Sequence, residues 1–351
     1  MEKVNKNRLT LGSILLKGRT VIALVALLVV FGVAEPVFLT PFSLIMVTKH
    51  VAIYAILGIG MTAVIINGGI DLSVGSIVGF VGMIAGGFIY EGIRIESLDV
   101  IIYLSIPMVV IVSLLIGTLI GMGNGLIVSK LNVPPFIATL GTMYIFRGLA
   151  MIRSGGLTYP DLNGKAELGN TGFTWLGSGA FLSIPIAIWL MIIIAVVVII
   201  IFKKTPLGWH IFAIGGNEKA AEMSGIKVAK IKTVVYMKSG FCAAVVGLIA
   251  SSQLASAQPS TGESWEMNAI AAAVLGGTSM SGGVGSIVGT LIGAFVIGVL
   301  NDGMVMLNVS EFLQMVIKGA VIIVAVVVDM AQRKLESTRA LKMQNEPMKC
   351  A

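Results

Sequence analysis

Residues 192–201 read Ile-Ile-Ile-Ala-Val-Val-Val-Ile-Ile-Ile, an unbroken apolar run inside a longer apolar stretch at 182–202. A helix of that composition is hydrophobic on every face and leaves none for water. The strands of a membrane barrel alternate apolar and polar residues, so an unbroken run does not fit them. About 20 predominantly apolar residues cross the hydrocarbon core of a bilayer as a helix. Nine further stretches qualify, near 20–39, 50–68, 72–90, 100–128, 134–152, 233–252, 269–284, 286–307 and 311–329. The expected fold is all-α, a polytopic membrane protein with about ten transmembrane helices. The stretch at 269–284 is broken near its end by Gly276, Gly277, Gly282, Gly283 and Gly285. It reads as a short span or a re-entrant element, the latter allowed only where its backbone is buried in protein.

Composition agrees and excludes other classes. Of 351 residues, 56% are hydrophobic and 12% charged. Soluble domains carry roughly twice that charge, and a disordered chain needs low hydrophobicity and high charge. Cys242 and Cys350 cannot build a disulfide framework, and with His50 and His210 they form no metal-binding cluster in the sequence. No Gly-x-x-x-x-Gly-Lys-Ser/Thr phosphate loop occurs; Asn163-Gly164-Lys165-Ala166 lacks both the first glycine and the hydroxyl. HExxH and GxSxG are also missing. The expectation is a protein that is not itself an enzyme and binds no cofactor.

Lysine and arginine favour the cytoplasmic side of a membrane. With ten spans and an inner N-terminus, 17 of the 24 Lys and Arg residues fall inside and 4 outside, and Arg147, Lys238 and Lys318 fall within spans. Both termini are therefore expected in the cytoplasm. Residues 1–19 form a basic cytoplasmic segment, 20–329 the transmembrane region and 330–351 a cytoplasmic tail. The net charge of +7 reads as this bias together with attraction to lipid headgroups, not as nucleic-acid binding. The first apolar stretch reads as an uncleaved span, with a cleaved signal peptide as the alternative, given its basic flank and Gly32 and Ala34 before Glu35.

Val74-Gly75-Ser76-Ile77-Val78-Gly79 recurs as Val284-Gly285-Ser286-Ile287-Val288-Gly289, each copy after a Gly-Gly pair. The echo suggests two related halves around a pathway, although both copies open spans running in the same direction, which an inverted repeat would not do. Glycines at spacing four, such as Gly117/Gly121/Gly125 and Gly285/Gly289/Gly293, let helix backbones approach closely in lipid. They serve packing, or sliding during transport.

The cytoplasmic connection 203–232 is amphipathic. Asn217 is a good N-cap, Glu218 places an acid at the positive end of a helix, and Gly225 can take the left-handed position after it. Lys219-Ala220-Ala221-Glu222-Met223 between them favour helix. A short capped helix between two spans suits docking into a cleft of another protein.

This loop resembles the ATPase-coupling loop of ABC importer permeases of the ribose/branched-chain-amino-acid superfamily, and the resemblance covers nearly the whole chain. Gly68-Gly69-Ile70-Asp71-Leu72-Ser73-Val74-Gly75-Ser76, Pro135-Phe136-Ile137-Ala138-Thr139-Leu140-Gly141 and Ala220-Ala221-x-x-Ser224-Gly225-Ile226 look like the monosaccharide branch. So do Ala269-Ile270-Ala271-Ala272-x-Val274-Leu275-Gly276-Gly277-Thr278-Ser279 and Gly289-Thr290-Leu291-Ile292-Gly293-Ala294. Lys238 departs from the branch, where an uncharged residue is usual. The resemblance implies a permease subunit of a bacterial plasma (inner) membrane importer, paired with a second copy or a close homologue. A cytoplasmic ATPase subunit would hold ATP and magnesium, and an extracytoplasmic binding protein would deliver a monosaccharide, a ribose-like pentose first. The coupling role falls on Asn217, Glu218, Ala220, Ala221, Ser224 and Gly225.

A path for a neutral, hydroxyl-rich sugar needs donors and acceptors without strong fixed charge. Asn67, Asn124, Thr139, Thr142, Tyr144, Ser239, Gln253 and Asn301 lie within spans and supply them; the same groups also join helices to one another. Asp71 is either a helix cap, or a gate or ATPase-facing contact at the inner end. Lys318, deep in the last span, either lines the path or serves structure, with Asp302, Asp71 or helix carbonyls as possible partners. Arg147 and Lys238 read as side chains that snorkel from span ends. Two other transporter types remain as alternatives: a branched-chain amino acid permease, and a stand-alone ion-coupled carrier, which should show paired intramembrane carboxylates.

Overall fold

The computed structural model describes residues 18–97 and 99–345. Thirteen α-helices account for most of them: α1 Arg19–Ala34, α2 Pro41–Ile66, α3 Val74–Tyr90, α4 Ile106–Lys130, α5 Pro135–Ile152, α6 Trp175–Ser178, α7 Ile186–Lys204, α8 Pro206–Gly216, α9 Glu218–Met223, α10 Val228–Gln253, α11 Trp265–Leu275, α12 Ile287–Met306 and α13 Glu311–Asn345. The fold is that of an all-α polytopic membrane protein. Two short antiparallel hairpins sit in connections: β1 Ile93–Ile95 with β2 Val100–Ile102, and β3 Ala180–Phe181 with β4 Ile184–Pro185. The stretch near 100–128 therefore opens as a strand and becomes helical only at Ile106, where Pro107 in the first turn starts α4.

Seven helices, α2, α4, α5, α7, α10, α12 and α13, are long and apolar enough to cross a membrane, and α1, α3 and α11 are shorter apolar helices. The basic segment 1–17 lies outside the described residues, and α13 continues as helix past the last apolar stretch to Asn345.

α2 and α10 are each 26 residues long and are buried along most of their length. They run antiparallel through the centre. α10 packs on α4 and α3, while α2 packs on α12 and α11; α3 lies against α4 and α5, and α11 against α12 and α13. The block α2–α5 is thus repeated in inverted sense by α10–α13. The hexapeptide echo is not the mark of this repeat. Its first copy opens α3 and its second leads into α12, whereas packing makes α11 the counterpart of α3. Close approach of α4 to α10 rests on glycine: a Cβ at Gly121 would meet the Tyr236 carbonyl, and one at Gly240 the Gly117 carbonyl.

Both inner repeats contain a broken helix. α2 ends at the end of the bundle that carries Lys203, Lys204 and α8–α9, called here the basic end. The chain turns through Gly68 at φ +82° and runs back inward as an extended segment before α3 begins. From the opposite end, residues 254–264 dip inward before α11 begins. α11 has 11 residues, a length of about 16 Å, roughly half the hydrocarbon core. The eighth apolar stretch is therefore a half-helix. Its last carbonyl accepts from Thr20 Oγ at 2.6 Å, and residues 276–286 continue it as irregular chain folded against α12, where Gly276 meets Gly289.

Candidate functional site

The two breaks meet inside the bundle. Gly262, at the end of the inward-dipping segment 254–264, lies so close to Gly75, in the first turn of α3, that neither position has room for a Cβ. Arg147, from α5, reaches both. Its Nη1 donates to the carbonyls of Pro259 and of Thr261 (2.9 Å), and its Nη2 to the carbonyl of Gly75 at 3.3 Å. Unpaired carbonyls at membrane depth cost several kcal/mol each, so one guanidinium with its fork of donors makes this irregular backbone tenable. Glu266, 8% exposed in the first turn of α11, and the exposed Glu263 stand on the same junction. Trp265 packs edge-on against Tyr54 of α2, ring centres 6.2 Å apart, and orients the start of α11. The expectation that Arg147 snorkels from a span end is therefore corrected: its charge is turned inward because the carbonyls it satisfies are there.

Toward the basic end, Asp71 is completely buried between α2 and α3. One carboxylate oxygen accepts from Ser73 N–H (3.1 Å) and Ser73 Oγ (2.6 Å), the other from Ser239 Oγ of α10 (2.7 Å). Asn124 Nδ2 of α4 in turn donates to Ser73 Oγ at 2.8 Å. Thr139 Oγ of α5 donates to the Ile70 carbonyl at 3.1 Å, and Thr142 Oγ to the Thr139 carbonyl at 3.1 Å. The extended segment 67–73 is thus held by side chains from α4, α5 and α10. Asn124 and Thr142 also line an open cavity of about 420 Å³ among α3, α4 and α5, whose other walls are apolar.

Asn67, Asn124, Thr139, Thr142, Ser239 and Asp71 accordingly gather along one segment. The other candidates stand apart. Tyr144 is 70% exposed on the outer face of α5. Gln253 closes α10 at the opposite end, with its Nε2 unpaired among the described residues, and both amide atoms of the buried Asn301 are likewise unpaired. Lys318 is half-buried on α13 and meets neither proposed acid. Asp302 pairs with His50 Nδ1 at 2.9 Å, and Asp71 is saturated by hydroxyl and amide donors. Lys238 also departs from expectation. Its ammonium is buried 4.5 Å from the centre of the Phe202 ring and has no hydrogen-bond partner among the described residues.

At the basic end, residues 206–216 form α8 and Glu218–Met223 form α9. Asn217 Oδ1 accepts from Ala220 N–H at 3.0 Å, and Gly225 takes φ +85° after the helix. Ala221 is buried, whereas Glu218, Ala220, Ser224 and Gly225 are exposed. Both Glu218 carboxylate oxygens accept from Lys232 Nζ at 2.7 Å, tying α9 to α10. α8 lies on the α2–α3 break: Gly215 packs on the Ile66 carbonyl, which accepts from Gly283 N–H at 2.9 Å, and Asn67 Nδ2 donates to the Ile211 carbonyl at 3.4 Å.

Sequence reasoning missed the Arg147 clamp, the Glu218–Lys232 pair, the His50–Asp302 pair and the acids Glu263 and Glu266. One signal was legible: two carboxylates flank the start of an apolar helix directly after Pro259-Ser260-Thr261-Gly262, an unlikely place for them unless that start is screened from lipid.

An inverted pair of helical blocks, each broken so that one helix begins inside the membrane, is the architecture of a polytopic transport protein. A family profile described as the permease component of the branched-chain amino acid transport system matches residues 43–326, and the chain belongs to that permease family. It is 43% identical to the ribose import permease protein of Haemophilus influenzae, over 94% of this chain and 98% of that protein. It is also 43% identical to the ribose import permease protein of Bacillus subtilis, over 88% and 91%, and 34% identical to the xylose transport system permease protein of Escherichia coli, over 82% and 84%. No solved structure matches it.

Proposed function

We propose that this chain is the permease subunit of a bacterial ABC importer that carries a ribose-like sugar inward by alternating access. The observation that carries the reading is end-to-end similarity to ribose import permeases at 43% identity. Xylose permeases follow at lower identity, which favours a pentose over the branched-chain amino acids of the family's description. The buried polar groups fit a neutral cargo, since the acid beside the α2–α3 break is consumed by serine hydroxyls.

The basic end faces the cytoplasm in this reading, with both termini on that side of the plasma membrane. ATP and magnesium belong to a partner ATPase that grips α9 at Asn217, Glu218, Ala220, Ser224 and Gly225. ATPase closure moves α9 and α8, and α8 bears on Ile66 and Asn67, so the segment that carries Asp71 shifts with it. A second permease copy or a close homologue covers the Tyr144 face of α5, and a sugar-binding protein delivers cargo at the opposite end.

The test is gentle purification of the tagged chain from its native membrane, with mass spectrometry of its companions and assay of ATP-driven sugar uptake. Co-purification of an ATPase with a phosphate loop, lost when 218–225 is scrambled, is the expected result. Uptake by the chain alone without ATP would overturn the reading in favour of an ion-coupled carrier.

A further inference from the structure

The basic end holds a second polar feature, a cavity that shares the start of the Asp71 segment as one of its walls. This cavity, of about 300 Å³, opens between the α2–α3 break and the α8–α9 hairpin. Asn67, Gly68 and Gly69 form one wall, Gly215, Gly216, Asn217 and Glu218 the other, Lys232 and Tyr236 of α10 also line it, and the rest of the lining, Val128 of α4 included, is apolar. The Tyr236 side chain is 2% exposed, its hydroxyl lies against Gly69, and it has no hydrogen-bond partner among the described residues. A buried hydroxyl left unpaired is costly, so this group calls for a partner that the folded chain does not supply.

The charge and size of the cavity select that partner. Its one acid, Glu218, and its one base, Lys232, neutralise each other through two 2.7 Å contacts. No net charge remains on these walls to favour an anion such as a nucleotide or a phospholipid headgroup. The walls offer two amides, a phenol, a carboxylate, an ammonium and glycine backbone, a mixed set of donors and acceptors that suits a neutral molecule carrying several hydroxyls. A monosaccharide fits within the volume with waters to spare.

We propose that this cavity binds a neutral sugar from the cytoplasmic side and that, through it, accumulated product restrains the transport cycle. The proposal rests on the importer reading given above. A ligand here bridges the α8–α9 hairpin and the break that the hairpin must move. It stabilises the arrangement in which the two are together, and it shifts the population toward that state by its preference for it. The ATPase then turns over more slowly when sugar is plentiful on its own side.

The test uses the complete transporter, permease with ATPase and binding protein, in proteoliposomes with the ATPase facing outward. Binding protein and ribose are enclosed in the lumen. ATP hydrolysis is followed as ribose is added to the outer medium up to tens of millimolar, with valine as the non-hydroxylated control. Ribose is expected to slow hydrolysis severalfold while valine leaves it unchanged. In Tyr236→Phe the uninhibited rate should be retained and half-inhibition should need about fivefold more ribose, the worth of one neutral hydrogen bond. If that variant does not assemble, Val128→Leu, which narrows the cavity from α4, should shift inhibition in the same direction. Hydrolysis indifferent to outer ribose, or equally inhibited in the assembled variant, overturns the proposal. Failure of lumenal ribose and binding protein to stimulate hydrolysis at all would instead overturn the importer reading.

Discussion

Arg147 donates to the carbonyl oxygen of Gly75 at 3.3 Å, and so ties α5 to the first turn of a helix that begins inside the bundle. The same guanidinium holds Pro259 and Thr261, so both broken helices depend on one side chain. Arg147→Met should therefore unfold at a markedly lower temperature in detergent and support no sugar uptake. The loss is expected to be about 3 kcal/mol or more, because charge-assisted hydrogen bonds to buried groups are worth about 1.5–3 kcal/mol each. Arg147→Lys should recover only part of it, since an ammonium lacks the planar fork that reaches separate carbonyls. Thermal unfolding of the purified complex checks both.

Asp71→Asn turns a carboxylate that only accepts into an amide that also donates, while the hydroxyls of Ser73 and Ser239 both donate toward it. One donor must lose its partner or turn away. The expected cost is about 1–3 kcal/mol, with the segment 67–73 loosened and uptake reduced. Ser239→Ala removes a single hydroxyl and should cost less, about 1 kcal/mol. Hydrogen–deuterium exchange of the amides in 67–73, compared in the two variants, reads the loosening directly.

Glu218 and Lys232 are partly exposed, so their pairing should add at most about 1 kcal/mol to stability. Glu218→Lys and Lys232→Glu, made singly, should leave the melting temperature within a few degrees of the parent while reducing the number of sugars moved per ATP hydrolysed. If the pair positions α9, the double exchange should recover a substantial part of that ratio. The ratio of uptake to hydrolysis in proteoliposomes is the measurement.

Gly215 has no room for a side chain, because a Cβ would collide with the Ile66 carbonyl and with the Gly283 amide that donates to it. Gly215→Val should displace α8 from the end of α2. The expected outcome is an assembled complex whose ATPase no longer responds to loaded binding protein. Gly216, with open space at the same position, should accept alanine with little effect and serves as the control.

Much of this protein was legible one stretch at a time. Continuous apolar runs announced the long spans because a helix in lipid satisfies its own backbone, whatever surrounds it. The capped helix at Glu218–Met223 was legible because Asn217, its good helix formers and Gly225 act within a few residues of one another. The candidates Asn124, Thr139 and Ser239 could be named as polar groups within spans, but not as neighbours.

Only the tertiary structure decided how deep α3 and α11 begin, and what the charges inside the membrane do. Arg147 meets a carbonyl 114 residues away in sequence, and Asp302 meets His50 across 252 residues. Hydropathy and local propensity record how favourably a residue sits in lipid or in a helix turn. They carry no record of which distant backbone has been left without a partner, and in a bilayer core that need determines where a charged side chain points.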